Sequence, residues 1–419
     1  MQRWGFILCM GLGVLFLQTG SGAVPPPGSQ VKPQNEVEAQ AGQHNNEGVQ
    51  LAEQGRHREA IRAFQKAVAL SPSFASAHYN LGLSYNSLQQ FKESSQAFRA
   101  AVQAQPNYGD AWHQLGIVLQ AQNQFEAASK AYELALSLMP NSPNLLYRLG
   151  YVFLNLQNWA QAAFYWEQLQ DGYPDHPASL SLQQHLPHLY FNLGTVLYGA
   201  GDLSGAEKAL DRAVRSQPGY GEALYNLGLV YMAQEHYDRA LKILRDARSV
   251  QPRNLDVILS LSRAYVLSDS LAKADQVLQN ALKEWPGQVS VYQNLADIQL
   301  RLGHIPQAVA HALTAVLHAP ENPTGFKLLA HIYEHNTQGE RYGPGFDSEK
   351  AIRAYQRALI LDATDVATHF NLGVLYGRLG NWADSWKAFK KAEAIDPQYP
   401  GVVKWLPEVE KRYRENKGQ

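Results

Sequence analysis

The tetrapeptide Tyr79-Asn80-Leu81-Gly82 recurs later in the chain as Tyr225-Asn226-Leu227-Gly228. Its glycine belongs to a series of small residues that are spaced 34 positions apart. Only two steps of the series are longer: 44 residues before Gly194 and 43 residues before Gly373. The full series is Gly48, Gly82, Gly116, Gly150, Gly194, Gly228, Ser262, Ala296, Ala330 and Gly373. A fixed period of this length predicts one supersecondary unit that is stacked ten times along the chain.

Two further series run in phase with the first. When the first series is numbered position 8 of each unit, position 20 is always small and position 32 is proline in every unit except the ninth. Proline cannot continue a helix, because it lacks the amide hydrogen and clashes with the preceding turn. Each unit is therefore predicted to contain two helices that pack closely through their small residues. One such pair cannot bury its apolar stripe alone and needs neighbouring pairs.

These series and tetrapeptides resemble the tetratricopeptide repeat (TPR) family over residues 41–399. The resemblance implies an all-α fold, a right-handed α-α superhelix (solenoid) of about ten helix-turn-helix repeats with a C-terminal capping helix. The predicted boundaries are repeats 1–4 in residues 41–176, an inserted helical segment in 177–186, repeats 5–8 in 187–322, repeat 9 in 323–365 with nine extra residues between its helices, repeat 10 in 366–399 and the capping helix in 400–419.

The first 23 residues differ in kind from the rest. Arg3 precedes an apolar stretch over residues 4–17, and small residues follow at 21–23, as in a secretory signal peptide. The 14 apolar residues would span about 21 Å as a helix, short of the roughly 30 Å hydrocarbon core. We therefore expect cleavage, export to the periplasm or the medium, and no stable membrane span afterwards. The proline-rich residues 24–40 are predicted to be a flexible linker.

Composition excludes several classes of function. The 36 Lys and Arg residues balance 37 Asp and Glu residues, so the formal charge is -1. Nucleic acid is not an expected partner, because phosphate binding depends on clustered cations. The single cysteine, Cys9, lies in the predicted signal peptide, which leaves no thiol for catalysis in the mature chain. No glycine-rich phosphate loop and no G-x-S-x-G motif occurs. The sequence therefore predicts a protein without catalytic residues, metal or cofactor.

Positions 2, 5, 6, 9, 12 and 13 lie on the arc of the first helix opposite its packing side. The family resemblance implies that this arc lines a concave groove that binds a peptide. Position 6 is asparagine in six of the ten repeats, and positions 5, 9 and 12 contribute aromatic rings. The candidate peptide-binding residues are Tyr79, Asn80, Gln114, Tyr147, Arg148, Tyr151, Phe191, Asn192, Tyr198, Tyr225, Asn226, Asn294 and Asn371.

The asparagine series has two interpretations. Asparagine is a mediocre helix former, so six at one exposed position indicate amides that pair with the backbone of an extended peptide. A similar asparagine ladder lines the superhelix of the O-linked N-acetylglucosamine transferase family. Alternatively, asparagine before Leu-Gly is simply common in this repeat family. We predict a non-catalytic scaffold that binds a peptide or loop segment of a partner protein, in assembly of envelope, secretion or polysaccharide-export machinery; polysaccharide binding in the aromatic-lined groove is an alternative.

Repeat 9 contains two further features. His331-Ile332-Tyr333-Glu334-His335 matches the H-x-x-E-H pattern of some zinc peptidases, so a zinc hydrolase centred on His331 and His335 is a second alternative. The repeat pattern explains the same stretch as an ordinary first helix. The insertion that follows is rich in glycine and proline and cannot be helical throughout. With Tyr342 and Phe346 exposed, it would be either a contact loop or a plain surface loop.

Overall fold

The computed structural model describes residues 36–417. Within these residues the chain forms 22 α-helices and one short 3-10 helix, and its only extended pairing is a single bridge between His335 and Arg341. The predicted all-α fold is confirmed. The predicted signal peptide (residues 1–23) and residues 24–35 of the predicted linker lie outside the described part of the chain.

The chain divides into two compact units, one ending at Ala178 and the other beginning at Ser179. Unit 1 contains the helix pairs of repeats 1–4: α1 (Glu36–Glu53) with α2 (His57–Leu70), α3 (Ala75–Ser87) with α4 (Phe91–Ala104), α5 (Gly109–Ala121) with α6 (Phe125–Leu138), and α7 (Pro143–Asn155) with α8 (Trp159–Gly172).

Unit 2 contains the helix pairs of repeats 5–10. These are α10 (Leu186–Gly199) with α11 (Leu203–Ser216), α12 (Gly221–Ala233) with α13 (Tyr237–Val250), α14 (Leu255–Leu267) with α15 (Leu271–Glu284), α16 (Val289–Arg301) with α17 (Ile305–His318), α18 (Pro323–Tyr333) with α19 (Ser348–Leu361), and α20 (Val366–Arg378) with α21 (Trp382–Ile395). The final helix, α22 (Pro400–Lys417), follows them.

Each unit has two layers of helices. Within each unit, every helix of the pairs packs against the next paired helix in sequence, and several first helices of adjacent repeats also touch, as α1 does with α3 and α10 with α12. The first helices therefore form one layer and the second helices the other. We call the solvent side of the first-helix layer the first-helix face; positions 6, 9, 12 and 13 of the repeats lie there, and position 5 lies at its border with the interior.

The centre of each repeat is the contact between position 8 of the first helix and position 24 of the second. In the repeats where position 8 is glycine, a Cβ atom added to it would overlap the residue at position 24. In unit 1 the large partners at position 24 are Phe64, Phe98, Tyr132 and Trp166, each at most 1% exposed. Where position 8 is Ala296, in repeat 8, position 24 is the small Ala312, and both are fully buried. A glycine at position 8 thus faces a larger residue at position 24, whereas repeat 8 has a small residue at both positions.

The first helix ends in the same way in nine repeats, on a residue of positive φ at position 15. Glycine occupies this position in four of them: Gly55, Gly201, Gly303 and Gly380. In the other five it is Gln89, Asn123, Gln157, Glu235 or Asp269. In repeat 2 the Gln90 N–H donates to the Tyr85 carbonyl at 2.9 Å, which satisfies a carbonyl at the helix end.

The N-terminal boundary differs from the prediction. Helix α1 begins at Glu36, five residues inside the predicted linker of residues 24–40. Its first turn contains Glu36 and Glu38, and acidic residues there interact favourably with the positive end of the helix dipole. The prolines upstream favour an extended chain, whereas Glu36 and Glu38 favour the start of a helix.

The segment after repeat 4 contains α9 (Pro177–Ser181) and a 3-10 turn at Leu182–Gln184, before α10 begins at Leu186. The insertion predicted at residues 177–186 is thus built from short helical turns. Leu182 is fully buried, whereas Leu180 is 56% exposed. At the other end of the chain, α22 occupies the predicted position of the capping helix. Its buried residues Val402, Leu406 and Val409 cluster with Phe389 and Ala392 of α21.

We expect Gly116→Ala to destabilise unit 1, because the added methyl group would overlap the buried ring of Tyr132. The free energy of unfolding should fall by about 1–3 kcal/mol, as in overpacked cores. Thermal and urea unfolding followed by circular dichroism measure the change. Gly42→Ala is the matched control, because no atom lies within 4 Å of its added carbon and alanine favours the helix. Equal losses in both variants would contradict the proposed packing.

Candidate binding surface

The structure places the predicted site residues on the first helices of both units. In unit 1 they are Tyr79 and Asn80 on α3, Gln114 on α5, and Tyr147, Arg148 and Tyr151 on α7. In unit 2 they are Phe191, Asn192 and Tyr198 on α10, Tyr225 and Asn226 on α12, Asn294 on α16 and Asn371 on α20. Tyr198 and Asn294 are exposed, and the others are half-buried.

Two of the asparagines form hydrogen bonds between adjacent repeats. In unit 1 the Asn80 side-chain amide donates to the Oδ1 atom of Asn45 at 3.0 Å. In unit 2 the Asn226 amide donates to the Oγ1 atom of Thr195 at 3.1 Å. Each bond uses one amide N–H, so the carbonyl oxygen and the second N–H can serve another partner. These amides are therefore held in place while they keep hydrogen-bonding capacity.

Asn294 does not join this network. Its amide donates to the Ser290 carbonyl of its own helix at 2.7 Å. The asparagine series seen in the sequence is thus not one uniform ladder of side chains. Position 6 sets the place of each asparagine on its helix. The neighbouring residues determine which hydrogen-bond partner its side-chain amide takes.

Sequence analysis missed the residues that complete the network. Asn45 and Thr195 accept the two inter-repeat bonds, and the Ser260 hydroxyl lies 3.4 Å from the Tyr225 hydroxyl. These residues occupy positions 5, 9 and 6 of their repeats, which belong to the same arc of the first helix. That shared arc was the available signal, but the prediction considered asparagine only at position 6 and aromatic rings at positions 5, 9 and 12, which left these three residues out.

The aromatic rings at position 5 are less available than their spacing suggested. Tyr79 lies 5.7 Å from the ring of Phe98 and 5.0 Å from that of Tyr108, and burial raises its pKa well above the usual value. Tyr147 stacks on Trp166 with centroids 6.3 Å apart. Phe191 packs at 5.1 Å from Tyr220. Each of these rings therefore packs partly within its own repeat. The prediction that they are free to contact a peptide needs this correction.

Arg148 gives the unit 1 face its local positive charge. Burial, together with the nearby charge of Arg148, lowers the pKa of His113 to about 4, so this imidazole is neutral at pH 7. Burial raises the pKa of Tyr132 to about 12, and its hydroxyl donates to the Oε1 atom of Gln120 at 2.8 Å. Arg148 is therefore the charged member of a polar group that includes His113, Tyr132 and Gln120.

Glu334, the glutamate of the H-x-x-E-H stretch, points into the protein. It is fully buried, pairs with the Arg341 guanidinium at 2.8 Å and accepts a hydrogen bond from the Tyr355 hydroxyl at 3.0 Å. A carboxylate held in this way cannot activate a water molecule for hydrolysis. Within residues 36–417, no group of three or more His, Cys, Asp or Glu side chains is arranged to hold a metal ion. The glutamate that this pattern would use as a base is therefore already engaged.

The nine-residue insertion of repeat 9 is folded against its own repeat. Tyr342 and Phe346, which were expected to be exposed, pack on the core cluster that contains Tyr355. Arg341 and Arg378 lie over the Tyr342 ring at 5.0 and 5.6 Å. The two rings therefore anchor the insertion, because they cover apolar residues that would otherwise face solvent.

Family models described as TPR repeat or Tetratricopeptide repeat match most of the chain. The first matches residues 48–89, 119–157 and 347–380, and others match residues 191–247 and 225–289, 267–332, 75–108 and 145–176. The chain therefore belongs to the tetratricopeptide repeat family. Membership supports a protein-interaction scaffold as its general role. No curated protein matched the sequence.

Several solved structures are similar to this chain at low sequence identity. A Naa15/Naa10 complex bound to HypK-THB has 15% identity and a TM-score of 0.45, and the match covers 90% of this chain and 67% of that one. Yeast Tom70 has 12% identity and a TM-score of 0.42, with 91% and 97% covered. YrrB, described as a TPR protein with an unusual peptide-binding site, has 22% identity and a TM-score of 0.32, with 47% and 97% covered. The assignment to the family rests on the repeat models.

In the part of the chain that the structure describes, no helix combines the length and apolar character that a membrane span requires.

Glu334→Gln should destabilise unit 2 in a pH-dependent way. Burial alone would raise the pKa of Glu334, but hydrogen bonds from His331 and Arg341, with the charge of Arg341, hold it below its usual value. The ionised carboxylate therefore stabilises the fold above the unfolded-state pKa of about 4.3, and this contribution is lost as the pH falls through the lower folded-state pKa. We expect a loss of about 1–3 kcal/mol at pH 7.

Urea unfolding at pH 7 and at about pH 3 measures the difference in the free energy of unfolding between wild type and Glu334→Gln. The lower pH lies below the unfolded-state pKa of glutamate. Glu349→Gln is the control, because that side chain is 81% exposed and exposed pairs contribute little. If this difference is the same at both pH values, the ionised pair of Glu334 and Arg341 does not stabilise the fold as proposed.

Proposed function

We propose that this protein is an exported, non-catalytic scaffold that holds an extended segment of a partner protein against its first-helix face. The observation that carries the proposal is the pair of inter-repeat amide bonds, Asn80 to Asn45 and Asn226 to Thr195. They place fixed hydrogen-bonding groups on the first-helix layer of each unit.

Fixed amides favour the binding of a peptide backbone. An extended segment presents N–H donors and carbonyl acceptors at regular intervals, and an amide side chain can pair with either. Because Asn226 is already held by Thr195, it loses less rotamer freedom when a partner binds. The same reasoning applies to Asn80 in unit 1. The fixed amides of the first-helix face therefore suit a ligand whose backbone presents polar groups at every residue.

Among the candidate residues, the one exposed aromatic ring lies in unit 2. Tyr198 is 37% exposed and belongs to the same helix, α10, as Asn192. Tyrosine provides a large contact area with few rotatable bonds, which is one reason it is enriched at interaction hot spots. A segment that combines backbone groups with an apolar or aromatic side chain would fit this part of the face.

Export and a role in envelope, secretion or polysaccharide-export assembly complete the proposal. The supporting feature for export is the sequence of residues 1–23, in which a basic start, an apolar stretch and small residues follow one another. The assembly role rests on analogy with exported members of the family. Periplasmic fractionation of the producing cells, with the N-terminal residue of the mature protein determined, tests the export step.

The double variant Asn192→Ala/Asn226→Ala tests the binding face in unit 2. A photo-crosslinking residue at Tyr198 would capture the partner in cells, and mass spectrometry would identify the crosslinked segment. We expect the double variant to reduce the captured partner at least fivefold, because two backbone contacts worth about 1 kcal/mol each are removed. Circular dichroism should show an unchanged fold.

Asn280→Ala is the control, because this exposed asparagine lies on the second helix α15 and bonds only locally, to Lys283 at 3.1 Å. It should capture the partner as well as wild type does. Undiminished capture by the double variant would move the binding site away from the first-helix face.

A further inference from the structure

His331 and His335 form a pair of imidazoles at the end of α18. Their ring centroids are 5.2 Å apart, and the ring planes are nearly perpendicular. The side chain of His331 is 41% exposed, and His335 is half-buried. The two residues occupy positions 9 and 13 of repeat 9, on the first-helix face. The binding of a partner segment, as proposed above, does not account for this pair.

Hydrogen bonding fixes the same tautomer in both rings. The Nδ1 atom of His331 lies 3.3 Å from the Oε2 atom of Glu334, and the Nδ1 atom of His335 lies 2.9 Å from the His331 carbonyl oxygen. An ionised carboxylate and a carbonyl can only accept, so each Nδ1 must carry the hydrogen. Each neutral ring then has its lone pair on Nε2, which is the form in which histidine binds metals.

The groups behind these rings match the usual support of a metal-binding histidine. Such a histidine generally donates its other ring N–H to a carboxylate or a backbone carbonyl, which orients the ring and raises its basicity. Here the carboxylate is Glu334, which is itself fixed by Arg341 at 2.8 Å and by Tyr355 at 3.0 Å. The Glu334 carboxylate, paired with Arg341, offsets part of the positive charge that Arg341 places beside the two rings.

The separation of the two rings is compatible with a shared ion. Two imidazoles bound to one metal at about 2.0–2.1 Å and at a tetrahedral angle have ring centroids roughly 5 Å apart. The observed centroid distance is 5.2 Å. If the rings rotate about their side-chain bonds, the lone pairs of both Nε2 atoms can point to one metal ion.

We propose that His331 and His335 bind one divalent first-row metal ion through their Nε2 atoms. Imidazole nitrogen suits zinc, nickel and copper, and these are the ions the site would take. Two protein ligands leave the remaining coordination positions to water or to a donor atom of a bound partner. The site has no catalytic role in hydrolysis, because Glu334 is buried and engaged. This site does not depend on the proposed scaffold function.

Untagged protein, freed of metal with a chelator, tests the site by isothermal titration with zinc chloride and with nickel chloride. We expect one ion per chain, and at least a tenfold loss of affinity in His331→Ala and in His335→Ala. His304→Ala is the matched control: this histidine also lies in unit 2 and has an engaged Nδ1 atom, 2.8 Å from Gln299, yet it should bind as wild type does. Circular dichroism checks the fold of each variant.

Electron paramagnetic resonance of wild-type protein with one equivalent of copper(II) gives a second measurement that needs no variant. Hyperfine splitting from two coordinated nitrogens supports the site. Either no uptake of zinc, nickel and copper by wild type, or uptake that is unchanged in the double variant His331→Ala/His335→Ala, would overturn it.

Discussion

The close approach of two helices within each repeat is the constraint on which the remaining structure depends. It requires a glycine or another small residue at position 8, because position 24 places a side chain such as Trp166 directly over it. The contact is satisfied in different ways along the chain, by glycine with a large residue or by Ala296 with Ala312. Position 8 is small in every repeat, whereas its partner at position 24 ranges in size from Ala312 to Trp166.

The candidate binding surface forms where first helices of adjacent repeats meet. When equivalent first helices touch their neighbours, a side chain at position 6 comes within hydrogen-bonding distance of the preceding repeat. Asn80 and Asn226 both use this proximity, although their acceptors are different residue types. The polar network of the first-helix face therefore depends on contacts between the first helices of adjacent repeats, α1 with α3 and α10 with α12. A repeat with a different interhelical distance could not make these bonds.

The periodic features could be predicted from sequence, and the features that depend on side-chain direction could not. Position 8 and the proline at position 32 recur at fixed intervals, so the helix pairs and the arc of candidate residues followed from them. Position 5 lies at the border between that arc and the interior, so spacing alone cannot tell that Tyr79 packs on Phe98. Asn294 turns to its own helix, a choice that depends on local neighbours. The burial of Glu334 arises from Arg341, which belongs to a non-periodic insertion.

The folded insertion of repeat 9 has a consequence for protein engineering. Between the end of α18 and the start of α19, the chain accommodates a loop whose Tyr342 and Phe346 rings attach it to the repeat, while Ala330 and Tyr355 stay in the core on either side of it. The connection inside a helix pair is thus a natural point for grafting foreign sequence. A transplanted loop there would need only two things: ends that meet at the spacing of the helices, and one or two aromatic side chains to anchor it.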